Sequence, residues 1–256
     1  MSYVFFLGFL AKKSIQFCCH RYRQFKGFLF TGLFRCDLCC LPSEHDRLLC
    51  ETCTKDISEQ SFKWPQDLLQ YPKIAQQLPK IRFHHLYALA PYHWPFDSWL
   101  KQLKYHQRAE IAPLLARLLA RRLQQMDDHK NWPQLIVSVP VHPKRLKQRL
   151  YNQSALLAYP LAKTLSIPYW QGAFKRIKNS DSQVGQSGAQ RRRKLKANFV
   201  LSKNMLDKKR VLPNHVAIVD DVVTTGATVS ELAALLTQHG VQKVSVLSVC
   251  VALKFG

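Results

Sequence analysis

Two groups of residues in this sequence have the types and spacings to do chemistry. The first lies in "VAIVDDVVTTGAT" (216–228). An apolar run ends on adjacent carboxylates, Asp220 and Asp221, and Thr224, Thr225, Gly226, Ala227 and Thr228 follow. Two like charges at the mouth of a buried strand repel each other and need a partner that brings positive charge or hydroxyl donors. The loop behind them opens a helix, whose free N–H groups and dipole attract an anion to the same spot. The threonine hydroxyls add donors, and a glycine lets the backbone approach a phosphate with no Cβ in between. A ribose 5-phosphate meets both demands, its phosphate at the loop and its 2′ and 3′ hydroxyls at the carboxylates. An ordinary strand-to-helix turn with a capping threonine is the simpler alternative, but it gives the paired acids no purpose.

The second group is a run of cysteines. The chain has eight, and five lie between Cys36 and Cys53. Cys36-x2-Cys39 and Cys50-x2-Cys53 are two knuckles, each placing two thiolates on one side, and together they make a tetrahedral four-sulfur site that suits zinc. Such a closed set leaves no open coordination position, so its role is structural. Cys40 could replace Cys39, but the symmetric spacing favours Cys39. Cys18, Cys19 and His20 are further donors with no matching spacing. Cys250, in an apolar run, belongs in a core. A local cluster is not a distributed disulfide framework, so a reducing, cytoplasmic compartment fits.

The elements that must hold these groups alternate. "QLIVSVPV" (134–141), "HVAIVDDV" (215–222) and "VQKVSVLSVCVAL" (241–253) predict buried strands, and 84–94 a strand or hairpin. Helices are predicted from Asp97 or Ser98 onward, with Pro113 separating two of them, over 153–165 with a kink or break at Pro160, and over 228–239. Strands alternating with helices indicate a doubly wound, mostly parallel α/β sheet. The expected organisation is an N-terminal extension (1–27), a zinc-binding module (28–60), a linker with short strands (61–95) and the α/β domain (96–256). The apolar run at 3–10 is too short to span a bilayer and lacks the flanks of a signal peptide, so no transmembrane segment is expected.

Charge narrows the partners. Lys and Arg number 38 against 16 Asp and Glu, a net +22. That exceeds what solubility needs and points to a polyanion or a phosphorylated ligand. The basic runs "PKRLKQR" (143–149) and "RRRK" (191–194) both precede the acid pair in the chain and could serve a pyrophosphate, a single-stranded DNA backbone, or both. Tyr151, Phe174 and Phe199 could stack on bases or lie in the core.

The acid-threonine stretch resembles the phosphoribosyl pyrophosphate (PRPP) motif of type I phosphoribosyltransferases. The four-cysteine knuckle, "LKYH" (103–106), "VSVPVHPKRLKQRLYNQS" (137–154), "DSQVGQSGAQRRRKLKANF" (181–199) and this motif follow in the order seen in the ComF family of competence proteins, over roughly residues 30–252. The resemblance implies a phosphoribosyltransferase-like domain with an N-terminal zinc module. Asp220 and Asp221 would be the catalytic pair holding the ribose, with magnesium nearby, and residues 224–228 would cradle the 5-phosphate. Val141, His142 and Lys144 would contact pyrophosphate. Arg149, Asn152 and Gln153 match the family's Arg-Gly-Phe-Asn-Gln, and Gln183 and Arg191 match its later loop. Leu150 and Tyr151 replace the usual Gly-Phe, Lys194 stands where the family usually has Asn, and Asn198 where a small residue precedes Phe199. The implied function is PRPP binding in natural competence, with single-stranded DNA and competence-machinery proteins as partners. The alternatives are an active salvage phosphoribosyltransferase and a structural adaptor.

Overall fold

The apolar runs become strands because a strand flanked by neighbours and covered by helices has no place for polar side chains. The computed structural model describes residues 35–43, 48–62, 66–78, 81–126, 132–176, 198–203, 205 and 211–252. Gln183, Arg191 and Lys194 lie outside them, as does most of the basic segment around them. The chain forms two compact units, residues 1–63 and 64–256.

In the first unit an isolated bridge joins Arg35 to Pro42, and helix α1 spans Glu51–Phe62. The second unit opens with a 3-10 turn, Leu68–Gln70, and α2, Pro72–Ala75. It continues as β1 (His85–Pro91), α3 (Phe96–Tyr105), α4 (Ile111–Gln124), β2 (Leu135–Ser138), α5 (Pro143–Arg149), α6 (Gln153–Leu165) and β3 (Tyr169–Trp170). Then come β4 (Phe174–Arg176), β5 (Phe199–Leu201), β6 (His215–Val223), α7 (Ala227–Gln238) and β7 (Lys243–Val251).

Five strands form one sheet in the order β1-β7-β6-β2-β3, and every pairing in it is parallel. β4 and β5 form a separate antiparallel pair. Val216 and Ile218 of β6 pack in one cluster with Val229, Leu232 and Leu236 of α7. The pleat turns Ala217 and Val219 to the other face, where α4 and α6 pack on the sheet and on each other. Phe174 and Phe199 are buried in the α7-side cluster, so of the three aromatics that could stack on bases these two belong to the core.

Three local expectations are corrected. Pro113 does not separate two helices but sits in the first turn of α4, where its missing N–H costs nothing. The break falls at 106–110, where Gln107 has φ +53°. Asp97 and Ser98 do not cap α3, which starts at Phe96 with no side-chain cap. Pro160 does not break α6, which runs from Gln153 to Leu165 with the proline inside it.

The strand order explains where a ligand can sit. From β2 the chain crosses outward to β3, and from β6 it crosses the opposite way to β7. The two central neighbours β2 and β6 therefore send their following loops apart and leave a crevice at their carboxyl ends, the topological switch point where open α/β sheets bind ligands.

Candidate functional site

That crevice is a cavity of about 450 Å³. The turn after β2 lines one side with Val139, Pro140, Val141 and His142; the end of β6 lines the other with Asp220, Asp221, Val222 and Thr224. Arg149, Asn152, Gln153 and Thr228 complete the set of sequence-predicted residues that the fold brings to it. Lys144 is exposed on α5 and is not among the lining residues; its neighbour Arg145 is. Thr225, Gly226 and Ala227, between the lining residues Thr224 and Thr228, are not themselves among the lining residues.

The two acids are held differently. The Ser154 hydroxyl and the Asp221 amide both donate to Asp220 Oδ1, at 3.1 and 2.9 Å. Asp221 Oδ2 instead pairs with the Lys104 ammonium at 2.8 Å. Burial pushes the Asp220 carboxyl up to about 7, and the Asp221 carboxylate adds to the rise. The hydrogen bonds from the Asp221 amide and Ser154, and the Lys104 charge, pull the other way. One acid of the pair is thus poised near neutrality while the other has its own counter-ion, the arrangement expected of like charges forced together.

The turn after β6 is built for close approach. Gly226 is the N-cap of α7 with φ +70° and no side-chain cap. That left-handed conformation strains any residue with a Cβ. Beneath it lie the side chains of Leu78, Ile81 and Phe83. Among the described residues none accepts a hydrogen bond from the amides of Thr225 or Gly226. The Ala227 amide donates only weakly, at 3.4 Å to Thr225 Oγ1, among the described residues. The dipole of a twelve-residue helix thus ends on donors open to an anion.

The opposite wall is basic and anchored. His142 is the N-cap of α5 and accepts from the Lys144 amide. Asn152 caps α6 by accepting from Ser154 N–H at 3.1 Å, and its amide nitrogen donates to the Val139 carbonyl at 2.9 Å. It therefore ties the start of α6 to the end of β2. Gln153 is 3% exposed and its Oε1 accepts from Arg149 at 3.3 Å. Its Nε2 meets no acceptor among the described residues. A buried donor left unpaired is costly, on the order of 1–3 kcal/mol, and this one lines the cavity. The Arg149 guanidinium lies 5.1 Å from the ring centre of Tyr105, which is 68% exposed.

Several site residues escaped the sequence reading of roles. Lys104, Tyr105, Arg145, Ser154, Tyr92 and Arg176 all line the cavity. "LKYH" carried Lys104 and Tyr105 only as a marker of motif order, because nothing local says which distant carboxylate a lysine will meet.

In the first unit the sulfur atoms of Cys36, Cys39, Cys50 and Cys53 lie within 4.8 Å of one another, with Cys39 and Cys50 at 3.6 Å. A zinc ion bonded to four sulfurs at about 2.3 Å sets them about 3.8 Å apart, so the cluster matches that donor set. The knuckle closes through Cys40 N–H to the Cys36 carbonyl, with Cys40 in the left-handed region at φ +62°. The Cys53 amide donates to Cys50 Sγ. Burial pushes the Cys53 thiol up, and the charge on Cys36 adds to it. A bound cation removes that cost. Cys250 is fully buried in β7, where burial pushes its thiol up. Among the described residues no helix is long and apolar enough to cross a membrane.

No family model matches the chain. DNA utilization protein YhgH of Escherichia coli (strain K12) is 35% identical over 221 residues, 84% of this chain and 89% of that protein. The protein of the same name from Salmonella typhimurium is 34% identical over 217 residues, 84% of this chain and 83% of its own length. Competence protein F of Haemophilus influenzae is 36% identical over 160 residues, 59% of this chain and 66% of its own length. Among solved structures, the glutamine PRPP amidotransferase from B. subtilis has a TM-score of 0.39 at 18% identity, over 58% of this chain and 30% of that one. Adenine phosphoribosyltransferase from Leishmania tarentolae has a TM-score of 0.28 at 15% identity, over 56% of this chain and 73% of that one. With a third of its residues shared with YhgH over most of both lengths, the chain belongs to the ComF family of competence and DNA-utilization proteins.

Proposed function

We propose that this protein binds PRPP at the crevice between β2 and β6 and handles single-stranded DNA during DNA uptake in the cytoplasm. The observation that carries the first part is that two carboxylates share one cavity with Thr224 and Thr228, which stand on either side of the uncapped start of α7. The 5-phosphate fits the amides and hydroxyls of residues 224–228, and the ribose hydroxyls fit Asp220 and Asp221. The diphosphate faces His142, Arg145 and Arg149, and the unpaired Gln153 amide supplies one more donor. Magnesium, brought with PRPP, would spread the diphosphate charge. Zinc on Cys36, Cys39, Cys50 and Cys53 would hold the knuckle as a structural ion.

The second part rests on the relatives, named for competence and DNA utilization, and on the +22 net charge. A backbone-tracking basic surface fits single-stranded DNA. Competence-machinery proteins are the natural partners for a chain of this family.

The test is calorimetry of the zinc-loaded chain with PRPP and magnesium, alone and with a short oligo-dT. PRPP binding that is lost in Asp220→Ala/Asp221→Ala, beside oligo-dT binding that survives and weakens steeply with salt, supports both halves. A wild-type chain that takes up neither ligand overturns the proposal. Pyrophosphate release from PRPP in the presence of a purine or pyrimidine base would instead assign the chain to nucleotide salvage.

A further inference from the structure

One oxygen of Asp221 is already taken: its Oδ2 is 2.8 Å from Lys104 Nζ, in a pair whose side chains are 14% and 19% exposed. Lys104 comes from α3, and that end of the helix is held firmly. Trp99, Leu100 and Leu103 are buried. The Tyr151 hydroxyl, absent from the phenylalanine usual at this position, donates to the Leu103 carbonyl at 2.6 Å. Arg108 donates to Gln102 Oε1 at 2.7 Å. The backbone of Lys104 is therefore fixed, while its four-carbon stem can swing within the cavity.

We propose that Lys104 is a ligand-positioning residue that exchanges Asp221 for the diphosphate of the incoming ligand and thereby selects a diphosphorylated sugar over a sugar monophosphate. The inference rests on the PRPP assignment above. Ribose hydroxyls that donate to Asp221 Oδ2 displace the ammonium. A half-buried ammonium left without an anion is costly; its neighbours Arg145 and Arg149 offer none, and Asp220, the other acid in its reach, is taken by the same ribose hydroxyls. The diphosphate arrives on the same ligand and supplies that anion. Ribose 5-phosphate displaces Lys104 equally but brings nothing to receive it. The pair acts as a lock that opens cheaply only when both ends of the ligand are present.

The test is calorimetry of the full chain with magnesium, titrating PRPP and, separately, ribose 5-phosphate into wild type, Lys104→Met and Lys104→Arg. The expected result for Lys104→Met is PRPP affinity lower by about tenfold or more, with ribose 5-phosphate unchanged or tighter because Asp221 no longer has to be taken from a cation. Lys104→Arg keeps PRPP affinity within about threefold, since the charge remains in reach. Equal losses for both ligands in Lys104→Met would mean that the lysine only orders Asp221, and unchanged PRPP affinity that it does nothing for the ligand; either overturns the inference. Melting curves check folding, and Lys104→Gln takes the place of Lys104→Met should the latter not fold. Wild type that binds no PRPP sinks the underlying assignment, whereas wild type that binds it with Lys104→Met unaffected sinks only this inference.

Discussion

The cysteine knuckle and the strand-end crevice both crowd groups of one charge sign, and they relieve the crowding in different ways. In the knuckle four sulfurs face one another, and burial with the Cys36 charge pushes Cys53 up. Relief there would come from a cation outside the protein's own atoms. In the crevice the chain supplies its own relief: Lys104 neutralises Asp221, and Ser154 and a backbone amide steady Asp220. A site that borrows its counter-charge cannot give it up without unfolding, whereas a site that owns one can trade it. The first arrangement suits a permanent structural ion and the second a ligand that comes and goes.

The largest effect that could break this contrast is on the knuckle. Cys50→Ser removes one of four ligands from an ion whose binding in such sites is worth on the order of 10 kcal/mol. Residues 35–62 should lose hydrogen-exchange protection and become open to proteolysis, with about one zinc per chain lost by elemental analysis. The sheet of the second unit should keep its melting temperature; a sheet that melts with the knuckle would end the comparison.

Next is the pH response of Asp220. Its carboxyl binds a proton more tightly folded than unfolded, so its contribution to stability is complete below its ordinary value of 3.8 and is lost as pH rises through about 7. Wild-type stability should fall by a few kcal/mol at most across that window, and Asp220→Asn should flatten the slope in melts run from pH 4 to 8. The ligand should respond with the opposite sign. Hydroxyl donors need the carboxylate, so PRPP affinity should climb up to about tenfold per pH unit and level off above 7. A pH-independent affinity would show that Asp220 is already ionised or untouched by the sugar.

Smaller effects sharpen the picture of the crevice wall. Gly226→Ala must adopt φ +70°, at a cost of about 1–2 kcal/mol, and its Cβ would meet Leu78 at an ordinary 3.4 Å. The melting temperature should drop modestly while anion affinity drops more, because the cost falls on the turn whose amides would meet the phosphate. Leu150→Gly should do the reverse. Leu150 is 74% exposed and closes α5 at φ +67°, a position that favours glycine, and restoring one should gain about 0.5–1 kcal/mol in urea or thermal melts with binding unchanged.

The same contrast decides what could be read before folding. All four knuckle cysteines fall within one short stretch, so spacing alone names the cluster. The β2, β6 and β7 runs and the turn after Asp221 were equally legible, because apolar composition and a glycine in a strand-to-helix turn are local signals. Lys104 and Ser154 were not, since each meets its carboxylate only after the sheet brings α3 and α6 to the end of β6. Pro113 misled because a proline reads as a helix break until its place in the first turn is known. Phe174 and Phe199 shared a basic neighbourhood in sequence yet pack inside, whereas the exposed aromatic at the crevice, Tyr105, lay elsewhere in the chain.

The apolar floor under Gly226 has a consequence of its own. Leu78, Ile81 and Phe83 are not among the residues lining the cavity, yet they pack under the turn and set its height. Trimming or enlarging one of them would lower or lift the proposed phosphate cradle without altering a single polar contact. Affinity in this family could therefore drift over generations through oily residues just ahead of the first strand, while the acids and threonines stay untouched.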